Sequence, residues 1–368
     1  MTAEGTQGPN GQQGRPRPPI VPRRIMALLL VPIIVASVVV VALVYEGGHS
    51  PARSNWAFEL VQLDEANRMG LTGEGVRVGI VDTGIDASHP SLAGARIVAW
   101  RDLVGGRTAP YDDEGHGTAM ASIIAGRPPL MGGVPDVELI IVKVVDAHGD
   151  STDTRIADGI DFCLDPNGDG DHADGADIVS LSLGGKVERI RDVIASKTRD
   201  AINEAVQNGV LVVAAAGNDG GPADDGDVAQ PGWIDDVICV GAVDRNGDVA
   251  SFSSMGRNIV RVDPNRKPEV VAPGVDITMA YPDDQYAKGS GTSQATAFAS
   301  AALAAALGAN PAWQHDGARG GNRLAVLAIK VMLMETCKKV EGQTVPHDDR
   351  AGYGIIQAVA LERALSAA

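Results

Sequence analysis

The chain has 368 residues, of which 44% are hydrophobic and 4% aromatic, and its formal net charge at pH 7 is −16. This length and apolar fraction are enough for one large hydrophobic core, and the abundance of alanine, glycine and valine fits a closely packed α/β domain. The negative charge argues against nucleic-acid backbones and anionic lipid headgroups as partners of the folded part, and it predicts a soluble acidic surface.

An uncharged apolar segment lies near the N-terminus. Residues 26–45 carry no charged side chain, and a helix of this length, at 1.5 Å per residue, reaches about 30 Å, enough to cross a bilayer. Four arginines precede it: Arg15, Arg17, Arg23 and Arg24. Because positive charge tends to stay in the cytoplasm, we predict a single-pass transmembrane helix over residues 25–45, with the following domain outside the cell membrane. The alternative is a secreted protein with an unusually long signal peptide.

Composition divides the rest of the chain into three parts. Residues 1–24 are rich in glycine, glutamine and proline and lack an apolar pattern, which predicts a disordered cytosolic tail. Residues 46–55 are expected to form a linker, and residues 56–368 a single folded domain.

Within that domain, short apolar runs predict buried strands, and longer periodic segments predict helices. The strands are expected at residues 76–81, 139–145, 178–183, 210–215 and 237–243. The helices are expected at residues 192–208, from residue 293 onward, and near residues 324–336 and 356–365. This alternation indicates an α/β fold in which a mostly parallel sheet carries helices on both faces.

Three short stretches place an acid, an imidazole and a hydroxyl next to glycine or threonine: Asp82 in Asp-Thr-Gly, His116 in His-Gly-Thr and Ser293 in Gly-Thr-Ser. Alone, Asp82 could be a turn residue, His116 a loop histidine or half of a metal site, and Ser293 a helix N-cap. Together they supply what converts a weakly acidic serine into a nucleophile.

Their placement strengthens this interpretation. Asp82 ends an apolar run, and ligands in open α/β sheets bind at the carboxyl ends of strands. Ser293 opens a helix of small residues, so its N–H lies among the unpaired donors that favour negative charge. The sequence therefore predicts a nucleophilic hydrolase site at one edge of the sheet.

These residues resemble the subtilisin-like (subtilase) serine peptidases. The resemblance implies a catalytic triad of Asp82, His116 and Ser293, and it implies that Asn218, at the end of the run Val-Val-Ala-Ala-Ala-Gly-Asn, donates its amide to the oxyanion hole. Without the other matches, Asn218 would be read as a turn residue. The resemblance further implies that a strand containing Ser182, Leu183 and Gly184 holds the extended substrate, a protein or peptide.

The family pattern is not complete. Ala119 stands where the family often has a second histidine, and Gln294 and Ala297 replace the methionine and proline that often follow the serine. These departures motivate an alternative function, a catalytically silent subtilase fold that acts as a binding module. The preferred interpretation remains a membrane-anchored serine endopeptidase that needs no cofactor.

A calcium site is a second candidate. Asp165, Asn167 and Asp169 place oxygen ligands at alternate positions of a glycine-containing loop, as calcium loops do, although the closing glutamate is absent. The alternative is a solvated acidic loop. The chain has three cysteines, which we expect to be buried free thiols, with one disulfide left open as an alternative.

Overall fold

The computed structural model describes residues 52–183, 196–222, 224–257 and 259–368. The predicted tail of residues 1–24 and the predicted transmembrane helix of residues 25–45 lie outside the described residues, as does most of the predicted linker. Over the described ranges, no helix combines the length and the apolar character that a bilayer crossing requires.

The described chain alternates strands and helices. The helices are α1 (Asn55–Leu60), α2 (Leu63–Arg68), α3 (His116–Ala125), α4 (Asp153–Leu164), α5 (Ser196–Gln207), α6 (Thr292–Gly308), α7 (Arg323–Thr336) and α8 (Ala358–Ala367). The strands are β1 (Arg77–Asp82), β2 (Arg96–Asp102), β3 (Glu138–Lys143), β4 (Ile178–Leu181), β5 (Leu211–Ala215), β6 (Ile238–Val243), β7 (Val270–Pro273), β8 (Ile277–Tyr281) and β9 (Gln285–Gly289).

Seven of these strands form one sheet, in the order β2-β3-β1-β4-β5-β6-β7, and every neighbouring pair is parallel. Strands β8 and β9 form a separate antiparallel hairpin. The inner strands are buried almost throughout, as expected of a parallel sheet covered on both sides. The predicted α/β fold with a mostly parallel sheet is therefore confirmed.

The two helix layers lie on opposite faces of the sheet. On one face, α4 packs against β1 and β3, and α5 against β5 and α4; on the other, α6 crosses β4 to β7 and contacts α3 and α8. Helix α4 packs very closely against the sheet, because a Cβ added at Gly159 would lie 2.7 Å from Val144 and 3.0 Å from Val81. Since side chains alternate along a strand, Asp82 points away from this layer, toward α3.

Helix α6 runs through the interior. Every residue from Thr292 to Leu307 is buried, and nearly all of these side chains are small. A helix without a polar face has no side to present to solvent, so the core must surround it. Several of its polar residues are paired inside, as in the 3.1 Å hydrogen bond between the hydroxyls of Ser300 and Ser180.

The five predicted strands are confirmed as β1, β3, β4, β5 and β6, with shifted ends. The third one was predicted to reach Leu183 but ends at Leu181. The second, β3, was predicted to reach Val145 but ends at Lys143. The N–H of Val144 makes the last rung of the ladder to the carbonyl of Asp82, and the N–H of Val145 donates to the same oxygen, so the regular pattern stops there. The expected free thiols are also confirmed, since all three cysteines are buried and unpaired.

Candidate active site

Polar residues stand at the carboxyl ends of three neighbouring strands. Asp82 ends β1, Ser182 directly follows β4, and Asn218 follows β5. Because β1, β4 and β5 are adjacent and parallel, these residues share one edge of the sheet, the edge at which α/β proteins bind ligands. Helices α3 and α6 begin at the same edge with His116 and Ser293 in their first turns.

Asp82 holds the imidazole of His116. The distances from Nδ1 to the two carboxylate oxygens are 2.8 and 3.0 Å, and the two side chains are only 2% and 6% exposed. The carboxylate also accepts the N–H of Thr83 at 2.7 Å. A carboxylate on Nδ1 fixes the tautomer that keeps its proton there, so Nε2 is the nitrogen that can accept a proton.

The two motifs that carry these residues interlock through glycine. A Cβ added at Gly117 would lie 2.2 Å from the carbonyl oxygen of Gly84, and the Gly117 N–H donates to the hydroxyl of Thr83 at 2.8 Å. No side chain fits between the backbones at this distance. The glycine of His-Gly-Thr is therefore required for the close approach of the two motifs, and that of Asp-Thr-Gly for a backbone contact with Tyr111, because a Cβ at Gly84 would lie 2.1 Å from the Tyr111 carbonyl oxygen.

Several acids surround the imidazole. Burial disfavours the charged ring, but Asp82, Glu114 and Asp112 outweigh it, so the pKa of His116 is raised to about 9. Glu114 also accepts the backbone N–H of His116 at 2.8 Å, and burial raises the pKa of this glutamate. The ordinary histidine pKa is about 6.5, so these acids move the titration of His116 upward.

Ser293 lies at the start of α6 and is engaged by Ser182. Its hydroxyl donates to the Ser182 carbonyl at 3.0 Å, and the Ser182 hydroxyl donates back to the Ser293 carbonyl at 3.2 Å. The Nε2 atom of His116 is buried and has no hydrogen-bond partner in the part of the chain that the structure describes. The structure thus joins Asp82 to His116 and Ser293 to Ser182, without a hydrogen bond between serine and histidine in this conformation.

The amide of Asn218 is oriented by Thr292. Its Oδ1 accepts the N–H of Thr292 at 2.9 Å and the hydroxyl of Thr292 at 3.0 Å, and that hydroxyl accepts the N–H of Gly217 at 3.1 Å. Because the oxygen end of the amide is fixed, the NH2 end is turned away from Thr292. This leaves the amide with a single orientation, as an oxyanion donor requires.

Leu183 is buried beside Ser182, and the third residue predicted to hold the substrate, Gly184, lies outside the described residues. The three departures from the family pattern all face the interior: Ala119, Gln294 and Ala297 are buried. The amide of Gln294 contacts the sulfur of Met279 at 3.5 Å. These substitutions change packing behind the site and remove no group that transfers a proton.

The predicted calcium loop is organised by its own backbone. Asp165 accepts the N–H groups of Gly168 and Gly170 at 2.7 and 2.8 Å, and Asn167 accepts the N–H of Asp169 at 2.8 Å. The hydrogen bond from Gly170 is the main cause that lowers the pKa of Asp165. Calcium binding by Asp165, Asn167 and Asp169 stays a prediction.

A second acidic group lies nearby. Over the described ranges, Asp177, His315 and Asp316 are the residues of the candidate-ligand types whose ligand atoms lie within 4.8 Å of one another. Both ring nitrogens of His315 are already used, Nδ1 by Asp177 at 2.7 Å and Nε2 by the His172 carbonyl at 2.8 Å. A ring with an acceptor at each nitrogen is best satisfied as an imidazolium, which does not bind a metal.

A carboxylate-held imidazole and a serine at the start of a buried helix, both at the carboxyl edge of a parallel sheet, are the groups that a serine hydrolase built on an α/β fold would use. The model of the Subtilase family matches residues 73–354. The chain is 33% identical over 279 residues to subtilisin DY of Bacillus licheniformis, covering 75% of this chain and 92% of the relative.

Two further relatives extend the comparison. Subtilisin Savinase of Lederbergia lenta is 34% identical over 263 residues, covering 71% of this chain and 86% of the relative. Serine protease AprX of Bacillus subtilis (strain 168) is 38% identical over 271 residues, covering 67% of this chain and 60% of the relative. The chain therefore belongs to the subtilase family, as the sequence predicted, and it is a serine endopeptidase of the subtilase type.

Proposed function

We propose that Ser293 is the nucleophile of this peptidase, His116 its general base and acid, and Asp82 the residue that orients the histidine. The observation that carries the proposal is the buried contact between Asp82 and Nδ1 of His116 at 2.8 Å, which leaves the buried Nε2 as the only ring nitrogen that can take a proton. A buried acceptor without a hydrogen-bond partner calls for an explanation, and proton transfer is one.

The reaction begins when the Ser293 hydroxyl leaves the carbonyl of Ser182 and gives its proton to Nε2 of His116 as Oγ attacks the scissile carbonyl carbon. Asn218 and the Ser293 N–H donate to the oxygen that becomes negative. His116 then returns the proton to the leaving amine as the C–N bond breaks, and the acyl group stays on Oγ of Ser293. A water that gives its proton to His116 attacks this ester, and the acid product leaves as Ser293 regains its proton. The Ser182 carbonyl, released by the hydroxyl, can accept an N–H of an extended substrate held along Ser182, Leu183 and Gly184.

A fluorophosphonate probe tests the nucleophile. Ser293→Ala is expected to abolish both labelling and peptide hydrolysis, whereas Ser290→Ala, a change three residues earlier in the same segment, should leave both intact. Labelling that persists in Ser293→Ala would show that another residue is the nucleophile. A wild-type chain that takes no label would favour the silent binding module.

We further propose that residues 25–45 anchor the protein in the cell membrane, with the peptidase domain outside. The support is the absence of charge in this segment and the four arginines before it. A C-terminally tagged chain is expected in the membrane fraction and is expected to be digested by protease added to intact cells. Recovery of all tagged protein from the medium would favour the secreted alternative.

A further inference from the structure

A buried lysine lies against the turn formed by Asp82 and Thr83, the Asp82 turn. Lys143 ends β3, where its backbone pairs in register with Asp82 of β1, and its side chain is 0% exposed. Its ammonium donates to the carbonyl of Thr83 at 2.6 Å, to a carboxylate oxygen of Asp113 at 2.6 Å and to the carbonyl of Val145 at 2.8 Å. An ammonium has three N–H donors, so each of them has an acceptor here.

These acceptors join two catalytic segments. Thr83 directly follows Asp82 and donates its N–H to that carboxylate, while Asp113 stands three residues before His116. Lys143 therefore connects the Asp82 turn to the loop of residues 112–115 that precedes His116, the His116 loop. Burying a charge is costly unless it is paired and hydrogen-bonded, and here two of the three acceptors come from those two segments.

A second buried lysine shows what a purely structural role looks like. Lys330 of α7 is equally buried and also has three oxygen acceptors, Val237, Asn265 and Glu269, at 3.1, 2.6 and 2.8 Å. Val237 precedes β6 and Glu269 precedes β7, so this ammonium lies at the amino ends of the strands. The two lysines share burial and chemistry but lie at opposite edges of the sheet.

We propose that Lys143 is a positioning residue of the catalytic site, which holds the Asp82 turn against the His116 loop through Thr83 and Asp113. The inference rests on the proposed function, because it assigns to Lys143 the geometry on which the contact between Asp82 and His116 depends. Lys143 contacts no reacting atom and acts only through these two segments.

The test compares Lys143→Met with Lys330→Met, two equivalent losses of a buried ammonium. Both should lower the urea midpoint of unfolding. Per fluorophosphonate-titrated site, Lys143→Met should lower kcat about 10- to 100-fold, the range that a displacement near 1 Å can produce, with KM changed less than about twofold. Lys330→Met should leave kcat unchanged. Equal kcat in both variants would overturn the proposal.

Asp113 offers a milder variant, because its side chain is 40% exposed. Asp113→Asn removes the negative charge but leaves Lys143 the carbonyls of Thr83 and Val145 and a neutral amide oxygen as acceptors. Asp113→Asn should lower kcat about 3- to 10-fold, and Asp113→Glu, which keeps the carboxylate, should restore most of it. An Asp113→Asn enzyme with wild-type kcat would contradict the proposal, even where Lys143→Met fails to fold.

The pH profile separates positioning from simple loss of charge. A loosened contact with Asp82 should move the midpoint of kcat/KM downward in Lys143→Met, since Asp82 raises the pKa of His116. Loss of a nearby cation alone would move it upward, and that result would refute positioning. Asp82→Asn is the reference: if it leaves kcat intact, the proposed triad fails, whereas a severe loss there with normal Lys143→Met kinetics overturns only the present inference.

Discussion

The oxyanion assignment makes a quantitative prediction for Asn218 and Thr292. Replacing Asn218 by alanine removes an amide donor from the site, and the loss of one such donor in subtilisin, a member of this family, costs about 10²- to 10³-fold in kcat. We expect a loss of this size in kcat for Asn218→Ala, with KM nearly unchanged, because the donor acts on charge that develops only in the transition state.

Thr292→Val should have a smaller effect. The substitution deletes the hydroxyl that donates to Asn218 at 3.0 Å and accepts from Gly217 at 3.1 Å, but it leaves the 2.9 Å hydrogen bond from the Thr292 N–H. One hydrogen bond is worth about 1 kcal/mol, which corresponds to a loss in kcat of roughly 3- to 10-fold.

Steady-state hydrolysis of a peptide substrate by both single variants and the double variant forms a mutant cycle. Since Thr292 acts through Asn218, its replacement should cost almost nothing further in the Asn218→Ala background. Circular dichroism controls for folding. Strictly additive losses in kcat would refute the idea that the threonine orients the amide.

Three further outcomes are expected. The value of kcat/KM should rise with pH as His116 loses its proton, and Glu114→Gln should lower the midpoint, because Glu114 helps to raise the pKa of His116 to about 9; an unchanged midpoint in the pH–rate profile would contradict this. Asp177 raises the pKa of His315 against the effect of burial. The protonated His315 therefore stabilises the folded state fully below about pH 6.5, and this stabilisation is lost as pH rises through the higher folded-state pKa. His315→Gln should remove this pH dependence from urea unfolding, and an unaltered dependence would exclude His315 as its source. If calcium binds the acidic loop, a chelator should lower the thermal midpoint of the wild type but not of Asp165→Asn, whereas indifference of the wild type would favour a solvated loop.

The elements that sequence predicted best are those whose structure is determined by a local pattern of residues. The inner strands are continuous apolar runs because both of their faces are covered, and the motifs around Asp82 and His116 carry glycines that close backbone contacts require. Strand β2 was missed because it is an edge strand: its apolar run is only Ile-Val-Ala-Trp between two arginines, and most of its side chains are exposed or half-buried. The β8–β9 hairpin was missed for a similar reason, since its second strand is Gln-Tyr-Ala-Lys-Gly.

The supporting residues of the site depend on contacts that sequence does not display. Lys143 stands at the end of an apolar strand, where a lysine is normally exposed to solvent. Only the fold shows that the Asp82 turn and the His116 loop enclose it. Glu114 likewise reads as one acid among several, yet it accepts the N–H of His116. For Glu114 a signal existed, a charged residue two positions before His116, but it does not identify the partner. Lys143 lies far from every catalytic motif in the sequence, so no such signal marks it.

Helix α6, which carries Ser293, has no surface of its own from Thr292 to Leu307. The proposed nucleophile is therefore carried by a fully buried helix, whose backbone amides are expected to exchange with solvent only when the interior opens. Heat inactivation should therefore coincide with global unfolding of the domain. A cavity introduced in the middle of the helix should shorten the lifetime of the folded enzyme rather than slow each turnover.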